Sequence, residues 1–168
     1  ALASGAATAV GIIYGMNLIE ISQALAEYKG PKGRLKILSG IKNSTIIDDT
    51  YNAAPASTHL ALDTLKGLPG KRKIAVLGDM MELGKYSADE HRKVGREASG
   101  TVDLLITVGP RSRIIGEEAS KAGMSAEKIK SFNLSTYQNV VLMKDKAREF
   151  WKKFPKKYYF GVQNLNVT

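Results

Sequence analysis

The sequence predicts an α/β protein whose sheet is mostly parallel and carries helices on both faces. Two observations support this prediction. Continuous apolar runs rich in β-branched residues, such as Arg72–Met80, are typical of strands buried on both faces of a parallel sheet. These runs alternate with segments of helical periodicity, which favours right-handed strand–helix–strand crossovers. Such alternation is typical of a Rossmann-like fold, and a short helical segment precedes it.

The N-terminal segment is predicted to form two helices. Residues 2–15 are small and apolar, which suits a tightly packed helix. Asn17 and Glu20 have the spacing of a capping box, in which each side chain accepts a hydrogen bond from the other residue's backbone N–H. We therefore expect a second helix over about 18–28, with one apolar stripe.

A cluster of glycine and proline follows these helices. Gly30, Pro31 and Gly33 all interrupt regular structure, which makes this cluster the best domain boundary in the sequence. We therefore predict two parts, a helical segment over 1–33 and an α/β domain over 34–168.

Strands and helices alternate after this boundary. Two short strands joined by a turn come first, at 35–41 and 44–49. A second capping-box spacing, Ser87 with Glu90, begins a helix after the third strand. The remaining predicted elements are, in order, a helix at 57–66, a strand at 72–80, a helix at 87–99, a strand at 103–108, a helix at 111–122, a strand at 128–133, a helix at 136–153 and a strand at 158–162.

The composition excludes several classes of protein. Of the 168 residues, 43% are hydrophobic and 24% are charged, so the chain is globular rather than disordered. It has no cysteine, which excludes a disulfide scaffold and a thiolate metal site and fits the reducing cytoplasm. The longest apolar stretch, 6–19, is shorter than the ~20 residues that a membrane span needs. Because the chain begins with Ala1 rather than Met, we expect it to be a piece of a longer protein.

The net charge of +9 is unevenly distributed. Residues 144–157 hold seven basic and two acidic residues, so +5 of the total lies in this segment. A basic module that binds nucleic acid would have such a cluster, because phosphate contacts dominate that affinity. A solvated helix face near the C-terminus explains the same residues and is the interpretation that we prefer.

In parallel α/β folds, ligands bind beyond the carboxyl ends of the strands. The segments to examine are therefore 48–55, 78–84 and 109–111. Asp48 and Asp49 directly follow a strand, where carboxylates can accept hydrogen bonds from a ribose, bind Mg²⁺ or hold water. They can equally form a turn through local backbone hydrogen bonds, and spacing alone does not decide between the two.

Acidic residues and a histidine also follow the third strand. Asp79 and Glu82 lie just beyond it, and His91 lies one turn into the next helix. Together they could form a catalytic set, but a lone histidine near a helix start is more often structural. We interpret His59, which lies among apolar neighbours, as structural too.

Three well-known site motifs are missing from the 168 residues. There is no phosphate loop of the Gly-x-x-x-x-Gly-Lys-Ser/Thr type, no Gly-x-Gly-x-x-Gly after a strand, and no Gly-x-Ser-x-Gly elbow. The sequence therefore does not contain a complete active site of these kinds.

Three segments resemble the signature motifs of one family. Residues 48–57, DDTYNAAPAS, resemble the motif DD-S/T-YNANP-x-S. Residues 78–84, GDMMELG, with the trailing His91, resemble GDM-x-ELG…H, and Gly33-Arg34 resembles a P-x-x-GR junction. These are motifs of the Mur ligases, the ATP-dependent amide ligases of bacterial peptidoglycan synthesis, and in particular of the MurF type.

The resemblance implies an activity for the full-length protein. MurF-type ligases add D-Ala-D-Ala to UDP-MurNAc-tripeptide through an acyl phosphate formed with ATP. ATP and Mg²⁺ would be bound mainly by a central domain that is mostly missing here, so the fragment alone is expected to be inactive. A Mur-like ligase with a different amine substrate is the alternative. The resemblance further implies a cytoplasmic monomer that binds neither nucleic acid nor membrane.

The resemblance also implies roles for individual residues. Arg34 would approach the ATP phosphates, and Asp49 and Asn52 would contact the nucleotide, with Asp49 at the ribose. The residues that would line the substrate cleft are Asp48, Tyr51, Asp79 and Glu82. No catalytic residue and no metal ligand is expected within this chain.

The sequence departs from the family pattern at two places. Ala54 stands where the motif has its second Asn. The closing VLVKGSR-like segment of the family has no clear counterpart, because Val140–Lys146 matches it in part but has neighbours that favour a helix. A final strand at 158–162 would be followed by Gln163-Asn164-Leu165, which lacks the lysine and the arginine. The pocket for the amine substrate is therefore not assigned.

Overall fold

The computed structural model describes residues 2–40, 44–132 and 159–163. The chain divides into two compact units, Ala1–Pro31 and Lys32–Thr168. The elements of the first unit are α1 (Leu2–Ile13) and α2 (Leu18–Glu27). The elements of the second are, in chain order, β1 (Lys36–Ser39), β2 (Thr45–Asp49), α3 (Pro55–Gly67), β3 (Lys73–Gly78), α4 (Ser87–Thr101), β4 (Leu104–Val108), α5 (Arg113–Lys121), β5 (Ile129–Phe132) and β6 (Tyr159–Gln163).

The two helices of the first unit pack through a glycine. Ile21 is buried against Gly11, where an added Cβ would lie 2.8 Å from Cγ1 of Ile21. At the start of α2, Asn17 Oδ1 accepts hydrogen bonds of 3.0 Å from the backbone N–H groups of Ile19 and Glu20. Glu20 Oε2 accepts in return from the N–H of Asn17, at 2.9 Å. The capping box predicted from the sequence is therefore confirmed.

Much of the apolar surface of this unit is exposed. The large exposed side chains are Val10, Ile12, Ile13, Tyr14, Met16, Leu18, Ile19 and Tyr28. Grouped apolar exposure of this kind is typical of a surface that another part of a protein covers. Among the residues that the structure describes, no helix is long and apolar enough to span a membrane. That this unit is the end of another domain stays a prediction.

The second unit is built on a six-stranded sheet with the order β1-β2-β6-β3-β4-β5. β1 and β2 form an antiparallel hairpin, and every other neighbouring pair is parallel. β6 lies between β2 and β3, so that Ile47 and Ala75 both align with Gly161. The predicted fold class, a mostly parallel Rossmann-like α/β sheet preceded by a short helical segment, is confirmed.

Three helices, α3 to α5, lie side by side on one face of this sheet. Their crossovers all advance across the sheet in the same direction, so right-handed connections place them on the same face. Polar contacts join the neighbours: His59 of α3 contacts Glu97 of α4, and Arg96 of α4 pairs with Glu118 of α5. The helix predicted over 136–153 lies outside the described residues.

The core lies between these helices and the sheet. β3 is buried from Ile74 to Gly78, as predicted for a strand covered on both faces. Other fully buried side chains are Ile47, Leu62, Leu65, Val94, Leu105 and Ile115. Dense packing of this layer holds the strands rigidly, so the loops that leave them start from fixed positions.

The second predicted capping box is wrong. Ser87 already has helical backbone angles (φ −53°, ψ −50°), because a 3₁₀ turn at Gly84–Tyr86 runs directly into α4. The N-cap is therefore Tyr86, whose side chain makes no capping hydrogen bond. The helix itself begins at the predicted residue.

The close approach of α4 and α5 yields a stability prediction. A Cβ added at Gly95 would lie 2.5 Å from the Ile115 carbonyl oxygen and 2.9 Å from Glu118 Cβ, whereas nothing lies near a Cβ added at Gly100. We expect Gly95→Ala to lower the free energy of unfolding by about 1–3 kcal/mol, because backbone must shift to admit the methyl group.

The matched control is Gly100→Ala, in the same helix. It should raise the free energy of unfolding by about 0.5–1 kcal/mol, because alanine favours helix more than glycine does. Urea denaturation of both variants measures the two effects. Equal stability of the two variants would contradict the packing described here.

Candidate functional site

The carboxyl ends of the parallel strands share one edge of the sheet. β6 lies between β2 and β3 and sets their ends roughly 10 Å apart, which is twice the spacing of neighbouring strands. The segments that leave β2, β3 and β4 are 50–54, 79–83 and 109–112. They overlap the segments 48–55, 78–84 and 109–111, where the sequence predicts ligand contacts.

Next to the end of β2, residues 33–35 form a tight turn, which we call the arginine turn. Gly33 and Leu35 have positive φ angles of 73° and 47°. The backbone N–H of Leu35 donates to Asp49 Oδ1, and the N–H of Tyr51 donates to the Gly33 carbonyl, both at 3.0 Å. Glycine is required at position 33, because an added Cβ would lie 3.0 Å from the Tyr51 nitrogen.

Arg34 lies in the middle of this turn. Its guanidinium carbon is 4.1 Å from the centre of the Tyr51 ring, and both side chains are exposed, as is that of Asn52. Asp49 is only 6% exposed, so most of its carboxylate lies inside the protein and not at the rim. The structure thus brings Arg34, Asp49 and Tyr51 into one cluster, and Asn52 follows it in the chain.

Asp48 belongs to a local turn. Its Oδ1 accepts hydrogen bonds from the backbone N–H of Thr50, at 3.3 Å, and from the Thr50 hydroxyl, at 2.7 Å. Of the two interpretations that spacing leaves open, the local turn is therefore the one that the structure shows for this residue.

A second cluster forms where β3 and β4 end. Asp79 Oδ1 accepts from the backbone N–H groups of Arg111, at 3.0 Å, and Ser112, at 2.7 Å. Gly109 (φ 124°) lies against this carboxylate, since an added Cβ would be 2.3 Å from Asp79 Oδ1. Asp79 therefore ties the end of β3 to the loop before α5.

Arg111 is an exposed cation in this second cluster that the sequence-based site prediction does not include. Its Nη1 lies 2.9 Å from Met81 Sδ. The sequence does offer a signal for Arg111, because this residue lies just after the end of a predicted strand, within the segment 109–111. Glu82 is also exposed and has a left-handed backbone (φ 62°).

His91 is a structural residue. It is 0% exposed; its Nε2 accepts from the backbone N–H of Met80 at 3.1 Å, and its Nδ1 lies 2.6 Å from the Ser87 carbonyl. Nδ1 therefore carries the proton and donates to Ser87, so both ring nitrogens are occupied within the fold. The catalytic set that includes this histidine is thus excluded, and the structural interpretation is confirmed.

The start of α3 shows the effect of Ala54. This residue is the N-cap, with an extended backbone (φ −121°, ψ 154°), and its methyl group cannot accept a hydrogen bond. Ser57 compensates in part, because its Oγ accepts from the N–H of Ala54 at 3.2 Å. The N–H groups of the first helical turn still have no side-chain acceptor at the N-cap.

No group of three metal-ligating side chains occurs among the residues that the structure describes. The carboxylates of the two clusters act mainly on backbone N–H groups, and the exposed polar side chains are Arg34, Asn52, Glu82 and Arg111. Two of these are arginines, which suits binding of an anionic group such as a phosphate or a carboxylate.

A mostly parallel α/β sheet with exposed arginines at its carboxyl edge places this domain in the Rossmann-like class. Comparison with known families gives the family. Residues 33–149 match the domain described as "Mur ligase, glutamate ligase domain", and the chain belongs to this family.

Individual relatives agree with this assignment. The UDP-N-acetylmuramoyl-tripeptide–D-alanyl-D-alanine ligase of Haemophilus influenzae is 38% identical over 116 residues, which are 68% of this chain and 25% of the relative. A crystal structure of MurF from Acinetobacter baumannii superposes with a TM-score of 0.77 and 28% identity, over 96% of this chain and 34% of that one. MurF from Thermotoga maritima in complex with ADP has the same fold, with a TM-score of 0.70 and 23% identity over 93% of this chain and 32% of that one. The chain thus spans about a quarter of the length of the curated relative.

The uncapped start of α3 yields a second prediction. Ala54→Asn should raise the free energy of unfolding by about 1 kcal/mol, because the new side chain can accept from the free N–H groups of the first turn. Ala56→Asn, two positions further on and exposed, is the control and should give no gain. Thermal or urea unfolding of both variants measures the difference, and an equal response would contradict the N-cap assignment.

The two histidines yield a third prediction. His91→Ala should lower the free energy of unfolding by roughly 3 kcal/mol, because it leaves a cavity and an unsatisfied N–H at Met80. His59→Ala removes a half-exposed contact with Glu97 and should cost about 1 kcal/mol or less. Urea denaturation compares the two. A larger loss for His59→Ala would show that the buried histidine is not the structural one.

Proposed function

We propose that this chain is the C-terminal part of a MurF-type ligase, which joins D-Ala-D-Ala to UDP-MurNAc-tripeptide with ATP. The observation that carries the proposal is the arginine turn, which presents an exposed guanidinium at the carboxyl edge of the sheet. The names of the relatives support the substrates, and the complex of Thermotoga maritima MurF with ADP supports the nucleotide.

In the proposed reaction, the terminal carboxylate of the tripeptide attacks the γ-phosphorus of ATP and releases ADP. The amine of D-Ala-D-Ala then attacks the acyl phosphate, loses a proton, and expels inorganic phosphate as the amide forms. The acyl phosphate is sensitive to water, so a second domain that closes over it protects the intermediate.

The residues of the first cluster would serve the nucleotide. An exposed guanidinium such as that of Arg34 can pair with two phosphate oxygens at once. Asn52, also exposed, offers an amide to the ribose or the base. Asp49 belongs to the same nucleotide site, and its burial leaves it little surface for direct contact with the ribose.

The residues of the second cluster would line the wall that receives the substrates. Asp79 fixes the loop before α5, and Glu82 is exposed beside it. Asp48 and Tyr51 complete this wall from the end of β2. In this proposal, ATP and Mg²⁺ are held mainly by a central domain whose phosphate loop is not in these 168 residues.

The exposed apolar surface of residues 1–31 supports this division of the protein. Eight large apolar side chains among the described residues of this unit, including Ile13, Tyr14 and Tyr28, are exposed, as expected for helices that belong to a larger domain. We further propose that the enzyme works as a monomer in the cytoplasm, where ATP is supplied, and binds no nucleic acid.

The test is an assay of the full-length protein that contains this chain. With ATP, Mg²⁺ and UDP-MurNAc-tripeptide, ADP should form only when D-Ala-D-Ala is added, and the product should contain both peptides by mass. D-glutamate, as a single amino acid, is the control amine. Turnover with D-glutamate and not with the dipeptide would identify a ligase of different specificity, and no turnover with any amine would contradict the proposal.

A further inference from the structure

We propose that Tyr51 is the positioning residue for Arg34: its ring holds the guanidinium at the carboxyl edge before an anion arrives. The proposal rests on the function proposed above, in which Arg34 contacts the ATP phosphates. Toward the nucleotide, Tyr51 makes no contact with the reacting atoms and acts through the arginine; its place in the substrate wall is a separate role that KM for ATP does not report.

The first argument is the way in which the two residues are joined. A distance of 4.1 Å from the guanidinium carbon to the ring centre is well within the range of a cation–π interaction. The backbone holds both partners at this separation, because the Tyr51 N–H donates to the carbonyl of Gly33, the residue before Arg34. On the other side of Arg34, the N–H of Leu35 donates to Asp49 Oδ1.

The second argument is the choice of partner. Arg92, Arg96 and Arg113 each pair with a carboxylate on a neighbouring turn or helix. Arg34 forms no ion pair with a described residue, and it faces an aromatic ring instead. A carboxylate would compete with an incoming phosphate, whereas a ring leaves the positive charge uncompensated.

The third argument is geometric. A ring face contacts the flat face of the guanidinium, while the N–H donors point outward in its plane. A phosphate needs these in-plane donors for a bidentate contact. The contact between the guanidinium and the ring thus restricts the long side chain of Arg34 without using donors that bind the ligand, so less conformational freedom is lost on binding.

The experiment is a double-variant cycle in the full-length ligase, with KM for ATP and kcat measured separately. Arg34→Ala should raise KM for ATP by about tenfold or more, as expected for loss of charge-assisted hydrogen bonds. Tyr51→Leu should raise it by about threefold, as expected for loss of an exposed cation–π contact. The double variant should match Arg34→Ala, because Tyr51 has nothing left to position.

Two further variants make the test specific. Tyr51→Phe keeps the ring and should restore most of the KM lost in Tyr51→Leu. Tyr86→Leu is the matched control, because Tyr86 is 60% exposed against 59% for Tyr51 and also lies beneath a cation, Lys85. It should leave KM for ATP unchanged.

The outcomes separate the inference from the function on which it rests. If Arg34→Ala leaves KM for ATP unchanged, the nucleotide site proposed here is wrong. If Arg34→Ala raises KM while Tyr51→Leu has no effect, or if the two effects multiply in the double variant, the inference alone is overturned. The inference alone is also overturned if Tyr51→Phe raises KM for ATP as much as Tyr51→Leu does. It is overturned too if Tyr86→Leu raises KM for ATP as much as Tyr51→Leu does.

Discussion

The carboxylate of Asp49 at the end of β2 is the constraint on which the first cluster depends. A charged group with 6% exposure is costly unless it accepts hydrogen bonds, and the N–H of Leu35 supplies one at 3.0 Å. To reach the carboxylate, Leu35 adopts a left-handed backbone, which a large residue rarely does. The same bend places Arg34 over the ring of Tyr51. One buried acid thus determines where an exposed cation lies.

At the end of β3, too, side-chain acceptors fix the backbone of the neighbouring turns. Asp79 accepts from two N–H groups of the loop before α5, and His91 accepts from the N–H of Met80. Acidic and imidazole groups, which residue type alone would assign to catalysis, here hold backbone turns in place. The groups left for a ligand are those that the turns present, chiefly Arg34 and Arg111.

Local patterns in the sequence predict the elements well but not the contacts between distant residues. β3 was predictable because a continuous apolar run is compatible with few other structures. The helix cap at Asn17 was predictable because its partner, Glu20, is only three residues away. The cap at Ser87 failed because a 3₁₀ turn already continues into the helix. The place of β6 between β2 and β3, and the contact of Arg34 with Tyr51, join residues far apart in sequence, and no local spacing encodes them.

The proposed division of the nucleotide site between two domains has a consequence for the proposed reaction. A phosphate loop in one domain and an arginine in another can surround the same phosphates only when the domains approach each other. A guanidinium that is already held in place reduces the entropy lost in that approach, so closure is favoured when the nucleotide is present. The same closure excludes water from the acyl phosphate. In the proposed enzyme, fixing Arg34 in the closing domain would therefore couple nucleotide binding to protection of the intermediate.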